Sequence, residues 1–372
     1  MIDYVTTEVV DGLITREDPP LVSIYLPMVR KGAETQRNPL VLKEAHREAA
    51  TRLQDKGMRR PEAESMLAPV EELIDDHTYW QNQEDGLALF VDRKGVQRFR
   101  LPIDFERLVV VGDRFHVKPL LPFLAADGEF YVLALSHNHV RLLRGSRWQV
   151  SEVELSGVPD SLKDALWYKQ PEASLQSHTT RAGGALAFHG HGLGEESSEE
   201  DLREFFRQVD RGTRAVVGTQ TPVVLAGVEY LHPLYRQVTG LSVLDQGVEG
   251  NPDELPAAEL HARAWPLVSD VFSRRRQEAA EQIGAANTST SLDDVVMGAA
   301  QGRVDVLFVP RDQQRWGRLD RDTLQVHLDD GEGESDLYDV AAAETWRHRG
   351  DVYMVDPAQM PGSGEVAAVF RY

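Results

Sequence analysis

Residues 130–145 read Phe-Tyr-Val-Leu-Ala-Leu-Ser-His-Asn-His-Val-Arg-Leu-Leu-Arg-Gly, and this stretch decides the fold of the middle of the chain. Two apolar runs, Phe130–Leu135 and Val140–Gly145, flank a polar turn that contains Asn138. Aromatic and β-branched residues favour strands, and two such runs joined by a short polar turn are typical of a β-hairpin. We therefore predict that a hairpin opens the middle unit of the chain.

Elements of both kinds extend outward from this hairpin. Leu202, Phe205, Phe206 and Val209 recur at helical spacing downstream of it. Apolar patterns elsewhere predict strands at 21–26, 87–91, 108–111, 223–228, 304–309, 352–355 and 366–372, and helices around 42–53, 61–74, 259–282, 292–300 and 336–345. Helices that alternate with short buried strands indicate a layered α/β (α+β) architecture.

Two breaks in the pattern divide the chain. The first lies near 119–128, and the second is the Gly-, Asn-, Asp- and Pro-rich stretch 247–256. A chain of 372 residues is also long enough for two or three cores. We predict an N-terminal α/β domain over 1–124, a middle domain over 125–256 and a C-terminal α/β sandwich domain over 257–372.

Composition excludes several classes of function. The chain has 40 Lys and Arg against 60 Asp and Glu, a net charge of −20, so it should repel polyanions and we expect no DNA partner. It has no cysteine, which excludes disulfides, thiolate catalysis and cysteine-bound metals. The first residues carry an acid at Asp3 and no long apolar stretch, so we expect a cytoplasmic protein with no membrane partner.

Residues 178–194 form a stretch rich in histidine and glycine, which we call the His/Gly loop. It contains the candidate functional residues Gly183, Gly184, His189, Gly190, His191 and Gly192. His178, His189 and His191 are the residues of an alternative metal site, since zinc needs three or four ligands around one ion. A phosphate-binding loop is disfavoured because the Gly-Lys-Ser/Thr ending is missing. A functional loop and a plain connection both remain open.

Three clusters of basic residues are candidate contacts for RNA. The first includes Arg93, Lys94, Arg98 and Arg100; the second includes Arg141, Arg144, Arg147 and Trp148; and the third runs from Arg311 to Arg321 around Trp316. Arginine next to an aromatic residue can bind phosphate and stack on bases. Ordinary surface charge is the alternative for each cluster.

The order of these elements resembles the bacterial archaeo-eukaryotic release factor family, and its third subfamily most. The resemblance rests on Leu21-Val-Ser-Ile-Tyr-Leu-Pro27, Phe130–Val140, Pro222–Leu231 and the ending Gly302–Val309 … Val366–Tyr372. It implies a release-factor-like chain of three domains, with a ribonuclease-H-like middle domain and a C-terminal domain similar to kink-turn-binding proteins. The wider family includes class-one peptide release factors and Pelota.

The sequence departs from release factors at two motifs. Where they carry a Gly-Gly-Gln loop, this chain reads Arg181-Ala-Gly-Gly-Ala185, and the N-terminal segment lacks an Asn-Ile-Lys-Ser motif. The resemblance therefore implies binding to the ribosome and its RNA without peptidyl-tRNA hydrolysis, in rescue, quality control or hibernation. It also implies a translational GTPase such as elongation factor Tu as a partner, and it implies no cofactor. A metal-dependent hydrolase and an acidic adaptor that binds only proteins are the alternatives.

Overall fold

The computed structural model describes residues 5–123, 128–166, 193–329 and 335–372. Its α-helices within these ranges are α1 (Thr7–Ile14), α2 (Asn38–Asp55), α3 (Arg60–Asp75), α4 (Leu162–Ala165), α5 (Leu193–Arg214), α6 (Leu231–Val238), α7 (Ala257–Glu281), α8 (Leu292–Ala300) and α9 (Leu337–Arg347). Over these residues, none of the helices is both long enough and apolar enough to span a membrane.

The strands form several separate sheets. They are β1 (Leu21–Pro27), β2 (Gly86–Asp92), β3 (Gly95–Leu101), β4 (Leu108–Gly112), β5 (Phe130–Leu135), β6 (Val140–Gly145), β7 (Val150–Val153), β8 (Val223–Gly227), β9 (Val248–Glu249), β10 (Thr288–Ser289), β11 (Val304–Pro310), β12 (Trp316–Asp320), β13 (Gln325–Leu328), β14 (Ser335–Asp336), β15 (Asp351–Val355) and β16 (Ala367–Phe370). The predicted mixture of helices and strands is confirmed.

The chain divides into two compact units. Residues 128–273 form one, which we call the middle unit, and the segments before and after them together form the other, the outer unit. The three domains predicted from the sequence stay a prediction, because this division does not test how the outer unit is organised internally.

The predicted hairpin is the start of the sheet of the middle unit. Phe130 pairs with Gly145 and Leu135 with Val140, and the hydroxyl of Ser136 accepts the N–H of His139 (2.9 Å) in the turn. The strand order is β7-β6-β5-β8-β9, and β8 and β9 run parallel to β5. Numbered within the unit this is 3-2-1-4-5 with the second strand antiparallel, the order of ribonuclease-H-like sheets.

Alternate residues of β5 supply the two cores of the middle unit. Leu133 and its odd-numbered neighbours lie in one cluster with Phe205 of α5, whereas Val132 and its even-numbered neighbours lie in another with Leu260 and Val268 of α7. Side chains on a strand point to opposite faces in turn. The hairpin strand is therefore buried on both faces between helices.

The N-terminal part of the outer unit is a sheet covered by two helices. Its antiparallel order is β3-β2-β1-β4, which leaves β3 at one edge. On one face Ile24 and Leu89 are neighbours in the register, and they pack in one core with Leu42 of α2 and Leu67 of α3. Leu42 and Leu67 belong to runs of apolar residues at helical spacing, which places them on the inner faces of α2 and α3.

The C-terminal part of the outer unit holds two further sheets. One has the order β10-β16-β11-β15, with β11 and β15 parallel, and the other is the small sheet β13-β12-β14. Helix α9 is buried along most of its length, from Leu337 to Thr345. This burial includes charged residues, which therefore need partners within the protein.

A buried cluster of polar groups joins the two parts of the outer unit. Asp339 accepts the backbone N–H groups of Val117 (2.7 Å) and Lys118 (2.6 Å). The ammonium group of Lys118 lies 3.0 Å from a carboxylate oxygen of Asp336 and donates to the carbonyl of Gln313. These groups are buried, so the loss of one partner leaves another unsatisfied.

We expect Asp339→Ala to lower the free energy of unfolding by about 2–4 kcal/mol, because two buried N–H groups lose their acceptor. Urea denaturation of the full chain measures the change. Asp75→Ala, at the exposed end of α3, is the control and should shift stability by less than about 0.5 kcal/mol. Equal stability of the two variants would contradict this role for Asp339.

His116 makes the same cluster sensitive to pH. It is 2% exposed, and its Nε2 has no hydrogen-bond partner within the described ranges. Burial lowers its pKa from 6.5 to about 3, although Asp336 raises the pKa in the opposite direction. Between these two pH values the unfolded chain binds a proton that the folded chain does not.

The free energy of unfolding should therefore fall by about 1.4 kcal/mol per pH unit as the pH drops below 6.5. Asp339 has the opposite effect on the free energy of unfolding at lower pH. Burial raises the pKa of its carboxyl group, so the folded chain binds this proton more tightly than the unfolded chain does. The difference between the parent and His116→Gln, measured by denaturation from pH 7 to pH 4.5, isolates the histidine. His77→Gln, at an exposed position, should keep the parent slope; a parent slope retained by His116→Gln would rule the effect out.

Candidate nucleic-acid interface

The edge strand β3 carries two arginines on one face. Arg98 and Arg100 are two residues apart, so their side chains share a face of the sheet. Their guanidinium carbons lie 5.0 and 5.5 Å from the centre of the Tyr79 ring. Tyr79 itself belongs to the core of the sheet and is 8% exposed. The ring therefore supports the arginines without neutralising their charge.

The turn that leads into β3 adds two more cations. Asp92 shapes it by accepting the backbone N–H groups of Lys94 (2.7 Å) and Gly95 (3.1 Å), and its own charge is paired with Arg16 at 2.5 Å. Arg93 and Lys94 are exposed. We call Arg93, Lys94, Arg98 and Arg100 the β3 edge patch.

The charge of the β3 edge patch is available to a partner. Arg93, Lys94 and Arg98 have no ion pair through their side chains with any residue that the structure describes. Arg100 donates to the carbonyl of Asn82 at 3.1 Å. Unneutralised cations beside an aromatic ring are what phosphate and base contacts need.

The second predicted cluster has a different environment. Arg141 is only 13% exposed; it pairs with Glu152 (3.1 Å) and donates to the carbonyl of Leu255 (2.8 Å). Arg144 donates to Glu129 at 2.6 Å. Both arginines are thus paired with carboxylates of the same unit.

Arg147 and Trp148 complete this cluster at the end of the β6–β7 turn. The guanidinium carbon of Arg147 lies 4.5 Å from the centre of the Trp148 ring, and Arg147 is exposed. A stacked Arg–Trp pair at an exposed turn can accept a base or a phosphate. Of the four residues, this pair is the one that keeps the geometry of a nucleic-acid contact.

The third predicted cluster is divided by the fold. Arg315 lies 3.9 Å from Glu365, and Arg321 lies 2.6 Å from the buried Glu344. Arg318 on β12 is exposed. The run 311–321 is therefore not one continuous patch, and its arginines have different neighbours.

The His/Gly loop lies outside the described residues, apart from its last two positions. His178, Gly183, Gly184, His189, Gly190, His191 and Gly192 all fall in the range 167–192. The structure therefore tests neither the functional loop nor the histidine metal site. Among the residues that it does describe, no three His, Asp or Glu side chains are grouped so that they could hold a metal ion.

The carboxyl ends of β5 and β8 meet at one edge of the middle sheet, where ligands bind in many open α/β sheets. The hydroxyl of Tyr230 lies 2.7 Å from Nε2 of His137 there, and the two rings meet edge to face. Sequence analysis did not single out this pair. Its members are 93 residues apart, and only the parallel pairing of β5 with β8 brings them together.

A comparison with protein families bears directly on the middle unit. The model of the bacterial archaeo-eukaryotic release factor family 3 matches residues 129–303. Over this segment, which is just under half of the chain, the sequence is similar to that family. The resemblance inferred from the sequence is confirmed, and the match covers nearly all of the unit 128–273. No curated protein matches the chain.

Solved structures of release factors and of Pelota also resemble this chain, at low similarity. An archaeal translation termination factor, aRF1, is 12% identical with 99% of both chains covered and a TM-score of 0.26. Pelota of Archaeoglobus fulgidus is 13% identical over 77% of this chain and 79% of its own, with a TM-score of 0.25. An archaeal Pelota bound to the ribosome with ABCE1 is 12% identical over 99% and 94%, with a TM-score of 0.33. The similarity to the family rests on the match over residues 129–303.

Measurements of stability can test the different environments of two arginines in the middle unit. Arg141→Ala should lower the free energy of unfolding by about 2 kcal/mol, because a mostly buried side chain loses a carboxylate and a carbonyl partner. Arg147→Ala removes only an exposed stacking contact and should cost about 0.5 kcal/mol. Urea denaturation followed by circular dichroism compares them, and equal losses would show that Arg141 has no greater structural role.

Proposed function

We propose that this protein is a ribosome-associated translation factor that acts by binding. The observation that supports the proposal is the family match over residues 129–303, which includes the ribonuclease-H-like sheet. In this role the protein serves rescue, quality control or hibernation of ribosomes in the cytoplasm. The His/Gly loop, with His189–Gly192, is its functional tip.

Binding to ribosomal RNA needs positive charge on a chain of net charge −20. The β3 edge patch supplies it: three of its four side chains have no ion pair in the described part of the chain, and Tyr79 lies beside them. Arg147 stacked on Trp148 supplies a second contact. Acidic surface elsewhere keeps the protein from binding nucleic acid indiscriminately.

The sequence of the His/Gly loop favours a protein that occupies the ribosome over one that hydrolyses peptidyl-tRNA. Release factors carry a glutamine after two glycines, and this chain has Ala185 after Gly183 and Gly184. Alanine has no side-chain amide with which to orient a water molecule. A GTPase such as elongation factor Tu, delivering the protein to the ribosome, completes the proposal.

A metal-dependent hydrolase is the rival function. It depends on His178, His189 and His191, and no contact among the described residues supports it. Metal analysis of protein purified without a histidine tag decides between the two, since a stoichiometric ion that survives dialysis favours the hydrolase.

Co-sedimentation with vacant ribosomes, across salt from about 50 to 300 mM, tests the proposal. We expect saturable binding that weakens with salt. Arg93→Gln with Arg98→Gln should weaken it about tenfold and reduce the slope of log affinity against log salt by about 1.5 to 2, because two phosphate contacts are lost.

The matched comparison removes two charges elsewhere. Arg60→Gln with Arg263→Gln changes arginines that pair with Glu64 and Glu259 on exposed helix surfaces, and should leave binding unchanged. Arg141→Gln with Arg144→Gln should weaken binding less than the β3 pair, since those charges are already neutralised. No binding of the parent to vacant or stalled ribosomes at low salt would overturn the proposal.

A further inference from the structure

Five arginines line one cleft in the outer unit. The cleft has a volume of about 480 Å³, within the range of small-ligand sites. The arginines come from separate places in the chain: Arg16, Arg114, Arg318, Arg321 and Arg347. Guanidinium groups repel one another, so the protein needs partner groups that hold five of them close together.

One buried carboxylate holds three of these arginines. The side chain of Glu344 is 0% exposed; its Oε1 lies 3.1 Å from Arg114 and 2.6 Å from Arg321, and its Oε2 lies 2.9 Å from Arg347. Burial alone would raise the pKa of Glu344, but the three guanidinium groups more than offset this and hold the pKa below its ordinary value. The single carboxylate of Glu344 thus holds three guanidinium groups in position.

The arginines keep donors for a ligand. Arg321 and Arg347 are still 58% and 43% exposed beside Glu344. The side chain of Arg318 makes neither a hydrogen bond nor an ion pair with any residue in the described ranges. Each guanidinium has five N–H groups, so most donors of this group remain unused.

Acidic side chains accompany the five arginines. Glu17 and Asp113 also line the cleft, Asp92, which is buried, pairs with Arg16, and Asp320 lies within electrostatic reach of Arg318. A ligand would therefore be held by the arrangement of the donors rather than by surplus charge. One arginine would neutralise the buried carboxylate of Glu344, so neutralisation alone does not require three. Converging arginines with unused donors are the arrangement that binds a phosphate group through two parallel hydrogen bonds.

We propose that this cleft is a binding site for a phosphate group, carried either by a nucleotide or by the backbone of RNA. Arg318 and Arg321 bind the phosphate oxygens, and Glu344 positions Arg114, Arg321 and Arg347 beforehand. Positioning in advance lowers the entropic cost of binding. The arginines of the cleft are different residues from those of the β3 edge patch, and the proposal does not rest on association with the ribosome.

Isothermal titration calorimetry of the full chain with inorganic pyrophosphate at about 50 mM salt tests the site. We expect one saturable site, weakened at least about tenfold in the Arg318→Gln, Arg321→Gln double variant. Arg318→Lys with Arg321→Lys keeps the charge but loses the planar fork, and should fall between the two. Arg60→Gln is the control outside the cleft, and thermal unfolding confirms that each variant is folded.

Competition identifies the carrier of the phosphate. Displacement of pyrophosphate by ATP indicates a nucleotide site, and displacement by a single-stranded RNA with hydroxyl termini indicates the RNA backbone. Either result supports the proposal. It is overturned if the parent does not bind pyrophosphate, if neither competitor displaces it, or if the folded double-glutamine variant binds as tightly as the parent.

Discussion

The outer unit depends on one buried carboxylate. Asp339 binds the backbone N–H groups of Val117 and Lys118, which precede it by more than 220 residues along the chain. A buried acceptor of this kind fixes the path of the backbone, because any shift leaves an N–H group without a partner. The segment after β4 is thereby held against α9, and Arg114 in that segment lies beside Glu344 on the same helix. The contact made by Asp339 thereby helps to place Arg114 in the cleft that is proposed as a phosphate site.

The two basic regions of the outer unit are proposed to bind by different physical means. The β3 edge patch lies along an edge strand, where exposed cations can contact an extended anion mainly through charge, so that binding is sensitive to salt. The arginine cleft is concave, and Glu344 holds its donors in place, which favours a compact ligand that can use several of them at once. A chain of net charge −20 can carry both because each region gathers basic side chains locally.

Pairing decides whether an arginine is a candidate contact. Arg141 and Arg98 both lie in basic runs, yet Arg141 pairs with Glu152 across neighbouring strands, and Arg98 lies over Tyr79 without an ion pair to any residue that the structure describes. The middle sheet brings Glu152 of β7 next to β6. The similarity to the release factor family lies in the middle unit, whereas the distribution of unpaired charge points to a surface on the outer unit.

Sequence by itself determined the hairpin 130–145 and the presence of helices such as α2 and α9, because these depend on residues within about four positions of one another. It also located the basic runs that contain Arg93 and Arg98. It missed β3 as an edge strand and the gathering of Arg16, Arg114 and Arg347 around one cleft. Only the tertiary structure decided these, since a contact between residues hundreds of positions apart depends on how sheets and helices pack, and local periodicity does not record it.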